Sequence, residues 1–279
     1  MTADLPRPEG HPSPPNAPDD SRGLLAADPA FSQNHHREVN NASASLPEIG
    51  PQDPRDPATL LRDYAVQARR PESKKFWPWP LLLHILSKER LRKQLTSYNK
   101  WRLEKVNQMV DTIRPRDTSV EPESPEGRTH YVRIFALLLL MGKGGDIINF
   151  IDAEESDIIL PVEVLPSHLG RKLYSLARTE EPARAKEEVR ASVSSGWEIT
   201  HMETFEEKQW GMFPAYFGFD GKGKEYKLED GRILPFLNFD GSETHSGTTS
   251  EKLGAYGIVT QIKLCPHSHG FDGILKKVG

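Results

Sequence analysis

The sequence predicts an α+β protein in three parts: a disordered proline-rich tail, a mainly helical middle domain and a short antiparallel β segment at the carboxyl end. Three observations carry this. Residues 1–57 repeat proline (Pro6, Pro8, Pro12, Pro14, Pro15, Pro18) and hold few large apolar side chains, so they bury too little surface to offset their ordering entropy. Residues 58–217 place apolar side chains mostly at helical spacing. Residues 218–279 change to apolar alternation around glycine-bearing turns.

Composition narrows the function classes. Of 279 residues only 36% are hydrophobic, and the net charge is −4 from 36 basic and 40 acidic side chains. That balance gives no whole-chain case for nucleic acid or membrane partners. The single cysteine, Cys265, excludes an intrachain disulfide framework and fits a reducing compartment. The opening stretch MTADLPRPEGHPSPPNAPDD lacks the apolar region of a secretion signal. Together these place the expected location inside the cell, cytoplasmic or nuclear. The longest apolar run, Ile134 to Met141, is far short of the roughly 20 residues that span a bilayer, so it predicts a buried helix.

Within the tail, Pro12-Ser-Pro-Pro15 fits a P-x-x-P ligand pattern, but the pattern is short and the segment is read as unstructured. Ala58 to Arg69 predicts a short amphipathic helix through Leu60, Leu61, Tyr64 and Ala65. Pro80 suits the first turn of the next helix. A helical pattern then runs from Leu81 to Ile113, with Leu82, Ile85, Leu86, Leu91, Leu95, Tyr98, Leu103, Val106, Val110 and Ile113 inward. Its remaining positions carry Lys88, Arg90, Arg92, Lys93, Lys100, Arg102 and Lys105, interspersed with Glu89, Glu104 and Asp111. This reads as a solvated face, with nucleic-acid binding as the other reading.

Residues 115–128, PRDTSVEPESPEGR, read as a polar linker. Tyr131 to Met141 reads as a helix apolar nearly all round, hence a core helix. The Gly142-Lys-Gly-Gly145 stretch follows a helix and lacks the spacing of a phosphate-binding loop. Asp146 is placed to cap a helix over Ile147 to Ala153, and Ser167 to cap one reaching Arg178. The aromatic-rich stretch from Trp197 to Phe217 predicts a packed cluster and a helix over Glu203 to Trp210. Glu225 to Phe236, turning at Asp230-Gly231, reads as a hairpin. The stretch from Lys252 to Leu264, KLGAYGIVTQIKL, reads as another.

Few constellations suggest chemistry. Cys265-Pro-His-Ser-His269 offers a thiol and two imidazoles without a second ligand pair, so it reads as a surface turn and no metal is expected. Glu154-Glu155 and Glu206-Glu207 read as exposed charges. No catalytic residues are assigned. A kinase glycine-rich loop reads G-x-G-x-x-G-x-V, its glycines letting the backbone fold over phosphates. Gly254, Tyr256, Gly257 and Val259 supply the end of that pattern, while Lys252 stands at its first glycine.

A longer series includes this hairpin. Ile134-Phe-Ala-Leu with Met141-Gly-Lys comes first, then Ile147-Ile-Asn-Phe-Ile-Asp and Ser156-Asp-Ile-Ile-Leu-Pro161. Phe205-Glu-Glu-Lys-Gln-Trp210, Ile233-Leu-Pro-Phe236 and the hairpin running into Ile262-Lys-Leu-Cys-Pro-His-Ser-His269 follow. In this order they resemble the region upstream of, and entering, the kinase domain of a large family of filamentous-fungal protein-kinase-like proteins. The resemblance covers roughly half the chain.

It implies a helical leader feeding a Ser/Thr-type kinase lobe, of which this chain holds the first hairpin. Phosphoryl transfer needs a strand lysine, a catalytic-loop Asp and Asn, and the Asp of D-F-G. No H-R-D or D-F-G occurs, and Gly273-Ile-Leu-Lys276 compares only faintly with V-A-I-K. The expected role is therefore a non-catalytic leader or regulatory region of a truncated chain, binding protein partners, among them the rest of a kinase domain. ATP with magnesium enters only if the lobe is functional. The alternatives are an ATP-binding pseudokinase-like fragment and a nucleic-acid-binding helical domain.

Overall fold

The computed structural model describes residues 46–50, 53–69, 74–114, 127–167, 170–176, 187–217, 228, 231–237, 251–254, 257–260 and 263–269. All lie within one compact unit, Val39–Gly279. The architecture is mixed, with helices gathered around a common core and small antiparallel sheets at its margin. The expected tail lies outside the described residues as far as residue 45. The chain enters the core earlier than the sequence suggests, because Ile49 is already buried.

Helix α1, Pro57–Asp63, starts where Asp56 accepts from the Thr59 backbone N–H at 3.0 Å and its hydroxyl at 2.6 Å. Strands β1, Val66–Gln67, and β2, Lys75–Phe76, pair antiparallel. The long helical pattern that follows is three helices: α2, Trp79–Ile85; α3, Lys88–Ser97; and α4, Leu103–Ile113. The expected single run breaks twice for local reasons. Ser87 caps α3, accepting from the Arg90 N–H. Asn99 takes a left-handed backbone at φ 54°, a conformation that Asn tolerates better than most residues.

The basic face is also not uniformly solvated. Arg90 is buried, and its guanidinium donates to the carbonyls of His84 at 2.8 Å and Gly50 at 2.7 Å. It ties the first described segment to the α2–α3 junction. Elsewhere on the same helices Lys88 pairs with Asp111 at 2.6 Å, and Arg92 donates to Asn107 at 2.8 Å.

Helix α5, Val132–Leu140, is buried at every residue from Val132 to Leu139. It packs against α1, α2, α6 (Ile147–Asp152) and α7 (Ile199–Gln209). Asp146 stands at the α6 amino end, but its carboxylate accepts instead from the Trp197 indole N–H at 2.9 Å. The helix expected from Ser167 is not formed. Strand β3, Val162–Ser167, turns back into β4, Gly170–Ser175, with Ser167 opposite Gly170 and Val162 opposite Ser175. Gly170 has φ +114°, outside any helix, and Val164 pairs with Leu173. Strand β5, Glu187–Glu188, adds to β4.

At the carboxyl end β6, Phe236–Leu237, pairs with β9, Lys263–Leu264. Between them β7, Glu251–Gly254, and β8, Gly257–Thr260, form a hairpin of their own. The first arm of the Glu225–Phe236 hairpin lies largely outside the described residues. The chain after residue 217 joins the chain before it: Arg69 N–H donates to Phe236 O, Ala215 N–H to Ile233 O, and Phe217 N–H to Ser268 O. Ala68, Phe76, Ile233, Leu237 and Cys265 bury one another in a second, smaller core.

One glycine fixes how β2 meets the end of α7. Gly211 O accepts from Trp77 N–H at 2.9 Å, and a Cβ there would sit 2.8 Å from the Lys75 carbonyl and 2.6 Å from the Trp77 ring. Gly211→Ala is expected to destabilise the fold by about 1–3 kcal/mol. Gly50→Ala, where nothing lies within 4 Å, is the neutral control. Urea unfolding of both variants measures the difference.

Candidate functional site

The most unusual chemistry lies at the amino end of α5. A helix leaves its first N–H groups without partners inside the helix, and Tyr131, at the N-cap, supplies no side-chain acceptor. Asp157 supplies both. Its carboxylate oxygens accept from the Arg133 and Ile134 backbone N–H groups, each at 3.0 Å. Asp157 is held by the 3-10 turn Asp157–Ile159, and its own N–H donates to His130 O at 2.8 Å. Ser156 donates its hydroxyl to Arg128 O at 3.1 Å, and Arg128 donates to Leu160 O at 2.5 Å.

Arg133 is buried with Asp157. Its guanidinium lies 4.2 Å from the Phe213 ring centre and 5.4 Å from that of Trp79, within cation–π range of both. Burial raises the Asp157 carboxyl from 3.8 to about 6, against the opposing pull of Arg133 and the two helix N–H groups. A perturbed carboxyl beside an arginine is a common signature of catalytic sites. Here both oxygens are engaged by the helix, and Asp157 is fully buried. The arrangement holds α5, the 3-10 turn at Asp157–Ile159 and the rings of Trp79 and Phe213 together, and it offers no exposed reacting atom.

Two other buried groups work in the same way. Gln209 accepts from Val162 N–H at 2.7 Å and donates to Val162 O at 2.6 Å, so its amide stands in for a neighbouring strand. Glu155, read from the sequence as exposed, is buried, and it accepts from the Arg190 N–H at 3.4 Å. Of the rings expected to cluster between Trp197 and Phe217, Trp197 and Phe205 meet each other and Phe150, with ring centres 5.5–6.2 Å apart, whereas Phe213 faces Arg133, Phe217 stacks on Phe236 and Tyr216 is exposed.

The residues expected to bind nucleotide lie elsewhere. Gly254 pairs opposite Gly257, closing the β7–β8 hairpin, and Val259 pairs opposite Lys252. Tyr256 and Gly273 to Lys276 lie outside the described residues. The hairpin is a two-stranded sheet among the described residues, and β9 leaves it to join β6. Cys265 is buried, which pushes its thiol up, and its N–H donates to Pro235 O at 2.8 Å. No group of three or more His, Cys, Asp or Glu that could hold a metal occurs among the described residues. No helix among them is long and apolar enough to cross a membrane. No family model, curated protein or solved structure matches this chain.

The Asp157 centre was missed by sequence reasoning because its partners lie more than twenty residues away along the chain. The available signal was an aspartate leading the apolar run Asp157-Ile-Ile-Leu-Pro161. Asp157→Ala removes the acceptor for two helix N–H groups and the counter-charge to Arg133. It is expected to cost about 3–5 kcal/mol, the range for breaking a buried pair. Because the folded carboxyl is raised, the folded state holds its proton more tightly than the unfolded chain. On this group's account stability is highest below pH 3.8, falls as pH rises to about 6, and is then level. The stability difference between Asp157→Asn and wild type should move in the variant's favour across that window, measured by urea unfolding at stepped pH.

Proposed function

We propose that this chain works by binding rather than by catalysis. It is read as the helical leader of a protein-kinase-like protein, acting as a protein-interaction module, with β7–β8 as the remnant of a nucleotide-covering hairpin. The lone cysteine fits an intracellular setting for it.

The observation that carries this reading is the path of the strand after the hairpin. In a phosphotransferase lobe the lysine-bearing strand brings its ammonium toward the phosphates that the glycine-rich hairpin covers. Here the strand next after the hairpin, β9, pairs with β6 beside the smaller core, while Gly273 to Lys276, the stretch compared with the lysine-bearing strand, lies outside the described residues. The hairpin keeps its glycine-closed turn, and the next strand is used to close the body of the fold. The deep polar groups support the same reading, since Asp157, Arg90 and Gln209 all serve backbone groups of their own chain.

Titration of the purified chain with Mg-ATP tests the proposal. No thermal shift is expected. A saturable rise in melting temperature, abolished by Gly257→Val, would overturn the non-nucleotide reading in favour of an ATP-binding pseudokinase-like fragment.

A further inference from the structure

The near balance of charge over the whole chain conceals a local excess at the α3–α4 corner, which reads Asn99-Lys-Trp-Arg-Leu-Glu-Lys105. Asn99, in its left-handed conformation, reverses the chain after α3. Helix α4 then buries Val106, Met109, Val110 and Ile113. Leu103 continues that stripe by spacing and was expected in the core with it. Instead α4 runs past the edge of the core, and Leu103 is 61% exposed, the most of any large apolar side chain described.

Cations flank it in the sequence, with the Lys100 ammonium lying beside Gly145, 3.4 Å from where a Cβ would stand. Lys100 and Arg102 are exposed and Lys105 is half-buried. None of these three makes an ion pair among the described residues, unlike Lys88 further along the same pair of helices. Glu104 is the one acid in the turn. Trp101 is held half-buried, edge-on to Tyr98 with ring centres 6.0 Å apart.

We infer that this corner docks on an anionic lipid surface, with Leu103 entering the interfacial layer while Lys100, Arg102 and Lys105 meet the headgroup phosphates. The shape selects this partner. Every residue from Asn99 to Glu104 except Trp101 is exposed, so the corner is convex. A peptide needs a groove or a sheet edge. Single-stranded nucleic acid is held by a charged groove and stacking rings, neither of which uses the protruding Leu103. A lipid interface accepts a protruding aliphatic side chain, and long basic side chains reach outward around it. The inference is independent of the kinase-like reading and unaffected by the outcome of the Mg-ATP titration.

Co-sedimentation of the full chain with phosphatidylcholine vesicles, with and without phosphatidylserine, tests it. Binding is expected only with phosphatidylserine and is expected to weaken as salt is raised. The double variant Lys100→Glu/Arg102→Glu should bind at least about tenfold more weakly, since each cation near such a surface contributes about fivefold. Leu103→Ser should weaken binding severalfold at unchanged charge. All three sites are exposed, and matching circular dichroism spectra and melting temperatures confirm that the variants fold. No binding to phosphatidylserine vesicles at low salt overturns the inference, as does binding that these variants leave unchanged. Binding of single-stranded DNA that depends on Lys100 and Arg102 but ignores Leu103→Ser, with none to vesicles, overturns it in favour of a nucleic-acid surface.

Discussion

Helix α5 can lie at the centre of this protein only because something outside it satisfies its first N–H groups. An amino-terminal helix end in water is solvated without effort; one buried in a core must find acceptors or lose several kcal/mol. The Asp157 carboxylate provides them, meeting the backbone at Arg133 and Ile134. A charge brought that deep carries its own penalty, expressed in the raised carboxyl. Arg133 offsets part of it, and the rings of Trp79 and Phe213 in turn hold Arg133. The central helix, the turn after α6, the start of α2 and the segment after α7 thus meet around one carboxylate.

The same device recurs because the secondary structure elements are short. Strands of two residues and helices of two turns have few internal hydrogen bonds, so neighbouring elements are joined through side chains reaching to backbone. Gln209 completes the edge of β3, and Trp77 donates its indole N–H to Leu61 O at 2.7 Å. Arg90 gathers the carbonyls of His84 and of Gly50, the latter 40 residues before it in the chain. Such bonds are directional and saturate their acceptors, so they fix the relative placement of elements that hydrophobic packing alone would let slide.

What could be read from the sequence follows from how local each cause is. The burial of α5 was legible in Val132 to Leu140, because a helix apolar on every side has nowhere else to go. The breaks at Ser87 and Asn99 were not, because the apolar period runs through both and only the cap and the left-handed residue mark the ends. Ser167 resembles a helix cap as a residue type, but its position opposite Gly170 comes from strand pairing that no short window displays. Glu155 looked exposed beside Glu154 because adjacent residues seem to share an environment. In fact Glu154 turns through a left-handed conformation at φ 58° and Glu155 enters the core. The antiparallel hairpin around Gly254 and Gly257 was legible as a turn, since its cause lies within a few residues. The Asp157 centre was the least accessible part, because each of its contacts is tertiary.

These differences bear on where function can reside. A buried ionisable group can do chemistry only if some of its hydrogen-bonding capacity remains for a substrate, and the Asp157 oxygens already serve two helix N–H groups. The deep charges of this protein are therefore poor guides to its activity, although they look most like a catalytic cluster. More is learned where a residue departs outward from the pattern of its own element. Leu103 does so: it shares the inward stripe of α4 yet stands in solvent. An exposed leucine flanked in sequence by Lys100, Arg102 and Lys105 adds nothing to the core, and contact with something outside the chain would give it a role. In a fold that directs its buried polar groups to its own backbone, recognition is left to the surface.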